Sequence, residues 1–379
     1  MGEKDASMNA EHLLQEYIEQ VAPACVPGVS IAVARADQVV WEGSAGWADI
    51  EQETRLHNGV AFGIGSITKV FVAVLVMQLA EEGLLSLDDR LGTWLAQKEF
   101  ENVANFSTAT VRQLLSHHSG IPSWEDDSDW IRHARGALSV PHKQWTTSEP
   151  LNFIRHTKAL CEAGREFNYS NTNFTLLGLL IEQVTGQCLS AQLEQRILSP
   201  LGLSSTYLES FATAKDVAVS NRYHWANDLF INTAGVSEHF RAAGQALVNV
   251  SNTNLSVEWA AAGIVSTSRD LAHFFLALRN RALLNSQSMS QMQAWAPTRD
   301  DGEVGLSLFR INTSVGTAIG HGGNVLGFSA TAWWFEDIDC VVAVLTNVGS
   351  MHAGPNVWNA SNVFKQTVIG ELARRICAD

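Results

Sequence analysis

Ser66 is followed three residues later by Lys69 in the stretch Phe62-Gly63-Ile64-Gly65-Ser66-Ile67-Thr68-Lys69-Val70. On a helix that offset puts both side chains on one face, so a hydroxyl and an amine can meet at hydrogen-bonding distance. An alcohol is a weak nucleophile at neutral pH and needs a positioned base, an oxyanion site or both. A serine at the start of a helix also lies beside unpaired backbone N–H groups and the positive end of the helix dipole, which favour developing negative charge. Lys69 can act as the base only if burial and cationic neighbours pull its pKa down from about 10.4. Taken alone, the tetrapeptide reads more simply as a capped helix with a solvated lysine. Ser-x-x-Lys arises about once by chance in a chain this long.

Two further motifs change the balance. Tyr169-Ser170-Asn171 is the only Tyr-x-Asn among the four tyrosines, and His321-Gly322-Gly323 combines an imidazole with two glycines that let a substrate approach the backbone. Both are expected in loops, where catalytic groups usually sit. Trp124 to Trp130 encloses Glu125, Asp126, Asp127 and Asp129. That run reads as a polar aromatic loop on the solvated surface. Neither a Gly-x-Ser-x-Gly elbow nor a His-Glu-x-x-His zinc motif is present.

The elements that must position these groups follow from hydrophobic periodicity. The apolar run Phe71 to Ala80 continues from Ser66 to Gly83 and predicts a buried helix. Leu13, Leu14, Tyr17, Ile18 and Val21 predict an amphipathic N-terminal helix, and Val29–Ala34 with Val39–Ala48 predict a β-hairpin. Helical patterns cover Thr172–Val184, Leu189–Leu198 and Leu271–Leu278, whereas 235–253 reads as an extended loop. Phe328–Phe335 and Cys340–Leu345 form a second hairpin, and Asn362–Ile376 closes the chain as a helix. The expected fold is α/β (α+β): an antiparallel sheet from both chain termini, flanked by helices, with an inserted mainly helical domain. The expected boundaries are 1–88 plus 255–379 for the sheet domain and 89–254 for the helical one, with the active site between them.

Composition excludes several function classes. Of the 379 residues, 46% are apolar and 17% charged, and the formal net charge is -14, which disfavours nucleic acid and anionic membranes as partners. No stretch approaches a membrane span. The five cysteines, Cys25, Cys161, Cys188, Cys340 and Cys377, are widely spaced and include no Cys-x-x-Cys pair. They read as free thiols, and with no signal-peptide core at the N-terminus the expected compartment is the cytoplasm, a removed leader aside.

Across nearly its whole length the chain resembles the penicillin-recognising serine hydrolases, in the branch with class C β-lactamases, DD-peptidases, D-aminopeptidases, D-amino-acid amidases and β-lactamase-like esterases. Beside the three motifs, the resemblance rests on Leu114-Leu115-Ser116-His117-His118-Ser119-Gly120-Ile121-Pro122, Leu176-Leu177-Gly178, Pro200-Leu201-Gly202-Leu203 and Ala262-Gly263-Ile264-Val265-Ser266-Thr267-Ser268-Arg269-Asp270. It implies that Ser66 is the acylated nucleophile, Lys69 its partner, Tyr169 the group exchanging protons with nucleophile and leaving group, and Asn171 a contact to substrate amides. That Trp124 and Glu125 border the pocket, with the acids as a site for a substrate ammonium, is implied only by this resemblance. The backbone N–H groups of Ser66 and Asn324 match the oxyanion donors beside Gly322 and Gly323. No metal or cofactor is implied. His321 stands where β-lactamases carry the lysine of Lys-Thr-Gly, so a permanent cation for a substrate carboxylate is lost and poor β-lactam hydrolysis is expected. The implied activity is cleavage of an amide or peptide bond in a small-molecule or short-peptide substrate, plausibly a D-amino-acid derivative. An esterase, a weak β-lactamase and a catalytically silent binding protein are the alternatives; oligomeric state is not legible.

Overall fold

The computed structural model describes residues 3–100, 102–213, 215–244, 246–299, 302–365 and 368–378. A nine-stranded antiparallel sheet is assembled from the two ends of the chain. Its strand order is Ala296–Pro297, Glu303–Val304, Phe309–Thr313, Gly316–Val325, Phe328–Phe335, Val341–Thr346, Gly28–Arg35, Gln38–Asp49 and Thr54–Arg55. The N-terminal hairpin closes on the C-terminal one through Gly28–Arg35 against Val341–Thr346, in the register Val29 to Thr346 and Ala34 to Val341.

Both faces of this sheet are covered, so its central strands are continuously apolar rather than alternating. Val29, Ile31 and Val33 pack with Val342 and Val344 against the helices Glu3–Cys25 and Ile369–Ala378. Ala32, Ala34, Ala343 and Leu345 face the opposite layer, where the Ser268–Arg279 helix crosses the sheet. Behind it the Thr68–Glu81 helix is buried over almost its whole length, as expected for a run with no polar face. The Asn171–Thr185 helix packs beside it and ends at Gly186, whose left-handed φ of 66° caps it.

Three expectations are corrected. The 235–253 stretch carries the short strands Arg241–Ala242 and Leu247–Asn249, part of a four-stranded sheet with Tyr223–Trp225 and Val348–Gly349. Strands of two or three residues leave no alternation to read. The closing helix is divided into Ala360–Lys365 and Ile369–Ala378, with residues 366 and 367 outside the described set. His321, Gly322 and Gly323 lie not in a loop but inside the ten-residue strand Gly316–Val325. The glycines hide that strand by propensity, yet the sheet requires one of them: a Cβ at Gly320 would lie 2.0 Å from Ala332 O.

Candidate active site

The Gly316–Val325 strand is paired on one side from Ala318 to Val325, but on the other side Phe309–Thr313 stops opposite Gly320. The edge from His321 onward is therefore free to face another element, and the turn carrying Ser66 fills the place. Gly65, Ser66 and Ile67 form one 3-10 turn ahead of the Thr68–Glu81 helix. Backbone meets backbone there. A Cβ at Gly323 would lie 1.9 Å from Ile64 O and 2.9 Å from Ser66 N, and one at Gly65, where φ is +56°, would lie 2.6 Å from Asn324 N. Only glycine permits that approach.

Lys69 is fully buried one turn beyond Ser66. Its Nζ donates to Ser66 Oγ at 2.9 Å and to the Ala261 carbonyl at 2.8 Å. Burial, against the opposing pull of Glu125 and Glu258, brings its pKa down to about 7. The solvated-lysine alternative for this motif is thereby excluded. Tyr169 approaches from the stretch before the Asn171–Thr185 helix, its ring centroid 5.0 Å from Lys69 Nζ. Burial pushes the phenol pKa up, against the lowering effect of its hydrogen bond with Ser66.

His321 is buried, packs edge-on at 5.0 Å to Phe309, and directs Nδ1 at the Gly322 carbonyl. A carbonyl only accepts, so the proton sits on Nδ1 and Nε2 presents an unpartnered lone pair. Burial, then the Lys69 charge, brings its pKa down to about 3. His117, which the sequence reading left without a role, stacks on Tyr169 at 4.2 Å and accepts from Ser170 N at 3.1 Å.

These groups border a cleft of about 550 Å³ whose wall includes Ser66, Tyr169, His321, Gly322, Gly323, Asn324 and Glu125. Lys69 reaches Ser66 from behind this wall. Asn171 also lies behind it, 2% exposed, with Nδ2 donating to Glu125 and Oδ1 unpartnered. Trp124 is corrected: it is a core residue, fully buried, its Nε1 donating to Thr175 Oγ1 at 3.1 Å and its ring 4.5 Å from that of Trp130. The acidic run is not simple surface either. Asp127 caps the Ser128–Arg135 helix by accepting from Asp129 N and Trp130 N, while Glu125 and Asp126 turn to the cleft. Glu125 is held by Arg135 at 3.1 Å, and Arg135 also grips the buried Glu258 at 2.8 Å. Neither Arg135 nor Glu258 was anticipated. Glu258 had a signal, as the only charge in Leu255-Ser256-Val257-Glu258-Trp259-Ala260-Ala261-Ala262.

The same architecture recurs in known proteins. The D-stereospecific amidohydrolase from Streptomyces sp. superposes with a TM-score of 0.79 at 27% identity, covering 95% of this chain and 99% of that one. The D-amino acid amidase from Ochrobactrum anthropi SV3 gives a TM-score of 0.79 over 97% and 98% of the two chains, and at 23% identity it speaks for the fold alone. Protein flp of Staphylococcus aureus is 29% identical over 181 residues, 48% of this chain and 34% of flp, so the chain spans about a third of that curated relative. With the serine, the tyrosine and the glycine-lined strand on one cleft, the lysine paired to the serine from behind it, and residues 14–361 matching the family model described as Beta-lactamase, the chain belongs to the Beta-lactamase family, within the penicillin-recognising serine hydrolases.

Proposed function

We propose that the protein is a serine hydrolase that cleaves the amide or peptide bond of small substrates bearing a free ammonium group, D-amino-acid amides and short peptides first among them. The observation that carries this reading is the 2.9 Å contact between Ser66 Oγ and a buried Lys69 whose pKa lies near 7. Neutral Lys69 takes the Ser66 proton as Oγ attacks the carbonyl. The tetrahedral oxyanion is received by the backbone N–H groups of Ser66 and Asn324, and the departing amine collects a proton through Tyr169. Water then attacks the acyl-enzyme, the Lys69 and Tyr169 pair again moving the proton.

The substrate class rests on charge. His321 is neutral where a lysine would anchor a carboxylate, which disfavours β-lactams. Glu125 and Asp126 put two carboxyl groups on the cleft wall. Both Glu125 oxygens are already engaged, by Arg135 and Asn171, so Asp126 is the carboxylate left to meet an ammonium, with Glu125 strengthening the field. The Streptomyces relative, named as D-stereospecific, supports the choice of D-configured substrates.

The test is a turnover panel of D- and L-amino-acid amides, D-Ala-D-Ala peptides, p-nitrophenyl acyl esters and a chromogenic cephalosporin, with a fluorophosphonate probe in parallel. Turnover concentrated on D-amides and probe labelling lost in Ser66→Ala is the expected result. A cephalosporin rate equal to the best amide overturns the reading of His321, and an unlabelled wild type without turnover makes the chain a silent binding protein.

A further inference from the structure

Arg135 ends the Ser128–Arg135 helix and is 1% exposed, a permanent cation inside the protein. Such a charge must be paired, since an isolated buried ion costs far more than a hydrogen bond recovers. Its fork is divided between two carboxylates. Nη1 donates to Glu125 Oε1 at 3.1 Å and Nη2 to Glu258 Oε1 at 2.8 Å, while the guanidinium carbon lies 4.8 Å from the Trp130 ring centroid. His352 Nε2 is 3.4 Å from Nη1.

Each carboxylate has a second attachment. The other oxygen of Glu125 accepts from Asn171 Nδ2. Glu258 opens the turn Trp259–Ala262, its main-chain oxygen accepting from Ala261 N at 2.8 Å and Ala262 N at 3.2 Å. The Ala261 carbonyl in that turn accepts from Lys69 Nζ at 2.8 Å. Trp259 holds a φ of +35°, a conformation that a bulky side chain keeps only when its surroundings impose it. The Glu258–Arg135 pair immediately before it is such a restraint.

We propose that Arg135 is a positioning residue for the reaction, aligning through Glu125 the Asn171 amide and through Glu258 the Ala261 carbonyl that seats Lys69. The proposal rests on the role proposed above for Lys69 and on the substrate contact that the family resemblance implies for Asn171. It explains why a buried guanidinium is shared between the buried Glu258 and the cleft-lining Glu125, where an apolar cluster of similar volume would serve stability as well.

Electrostatics supplies a signature. Lys69 is faced by Glu125 and Glu258, which favour its ammonium form, by Arg135, which opposes it, and by Tyr169, His117 and His321, all held in their neutral forms. Neutralising Arg135 therefore stabilises the protonated amine, and neutralising Glu258 destabilises it.

The experiment is a pH series of kcat/KM on a D-amino-acid amide for wild type, Arg135→Gln, Glu258→Gln, the double variant and Arg135→Lys, with thermal unfolding of each. The acid limb should move to higher pH in Arg135→Gln and to lower pH in Glu258→Gln. The double variant removes one charge of each sign; Glu125 loses Arg135 but keeps Asn171 and borders the cleft, so no fully buried ion is left unpaired, which protects folding. It should recover the wild-type limb while kcat/KM stays about 100-fold down, the loss expected when a group near the chemistry shifts by about 1 Å. Arg135→Lys keeps the charge but not the fork, so its limb should stay and its kcat/KM fall. Limbs that do not move, or a double variant as active as wild type, overturn the proposal. A wild type that is neither labelled at Ser66 nor active refutes the acyl-enzyme reading itself, an outcome distinct from an active wild type with unmoved variants.

Discussion

The pKa of Lys69 is the most consequential quantity in the site. A lysine in water is half-deprotonated only near pH 10.5, so at pH 7 about one in 3,000 molecules holds the free amine. Burial brings the value to about 7, and half the molecules then carry the base at neutral pH. At 1.36 kcal/mol per pH unit the shift is worth about 5 kcal/mol of relative stabilisation of the neutral amine. If that amine accepts the Ser66 proton, kcat/KM must rise about tenfold per unit below pH 7 and level off above it. The assay is single-turnover acylation of Ser66 by p-nitrophenyl acetate, which carries no ammonium to titrate in this range, between pH 5 and 9. The assignment to Lys69 is clean among its neighbours. His321 lies near 3, His117 is pushed well below the ordinary imidazole range by burial, and Tyr169 is pushed up. His321→Gln should therefore keep the limb while Lys69→Arg loses acylation, because a guanidinium does not deprotonate. A rate independent of pH from 5.5 to 8.5, or a limb that moves with His321, would refute the reasoning.

Gly323→Ala should place a methyl against the Ile64 carbonyl, separate the Ser66 turn from its strand and cost about 10²–10³ in kcat, the range for losing an oxyanion donor, together with a lower Tm. Trp124→Phe removes a buried hydrogen bond to Thr175, so urea denaturation should show about 1 kcal/mol lost with KM unchanged; a raised KM would return Trp124 to the cleft. Asp126→Asn should raise KM for amides with a free ammonium and leave N-acylated analogues unaffected, and equal effects on both would remove Asp126 as the anchor.

Apolar patterning, as continuous runs or helical periodicity, was sufficient for the two hairpins, the N-terminal helix and the buried Thr68–Glu81 helix, because in each the residue pattern and the burial pattern coincide. It was insufficient for Gly316–Val325, where glycine serves close approach to neighbouring backbone rather than strand propensity. It also misread Trp124 as a wall of the cleft. Acidic neighbours suggested an exposed loop, but Asp127 spends its charge capping a helix and leaves both tryptophans in the core.

For the site, the residue types and the shared helical face of Ser66 and Lys69 can be read along the chain, since a three-residue offset is local geometry. Everything that depends on distant segments meeting comes from the folded chain. The Ala261 carbonyl on Lys69, His117 under Tyr169, the Gly323 backbone against Ser66 and the division of Arg135 between Glu125 and Glu258 each join residues far apart along the chain. A pKa belongs to the same class. The lysine is written in the sequence, but its charge is set by burial, and burial exists only once the chain has folded around it.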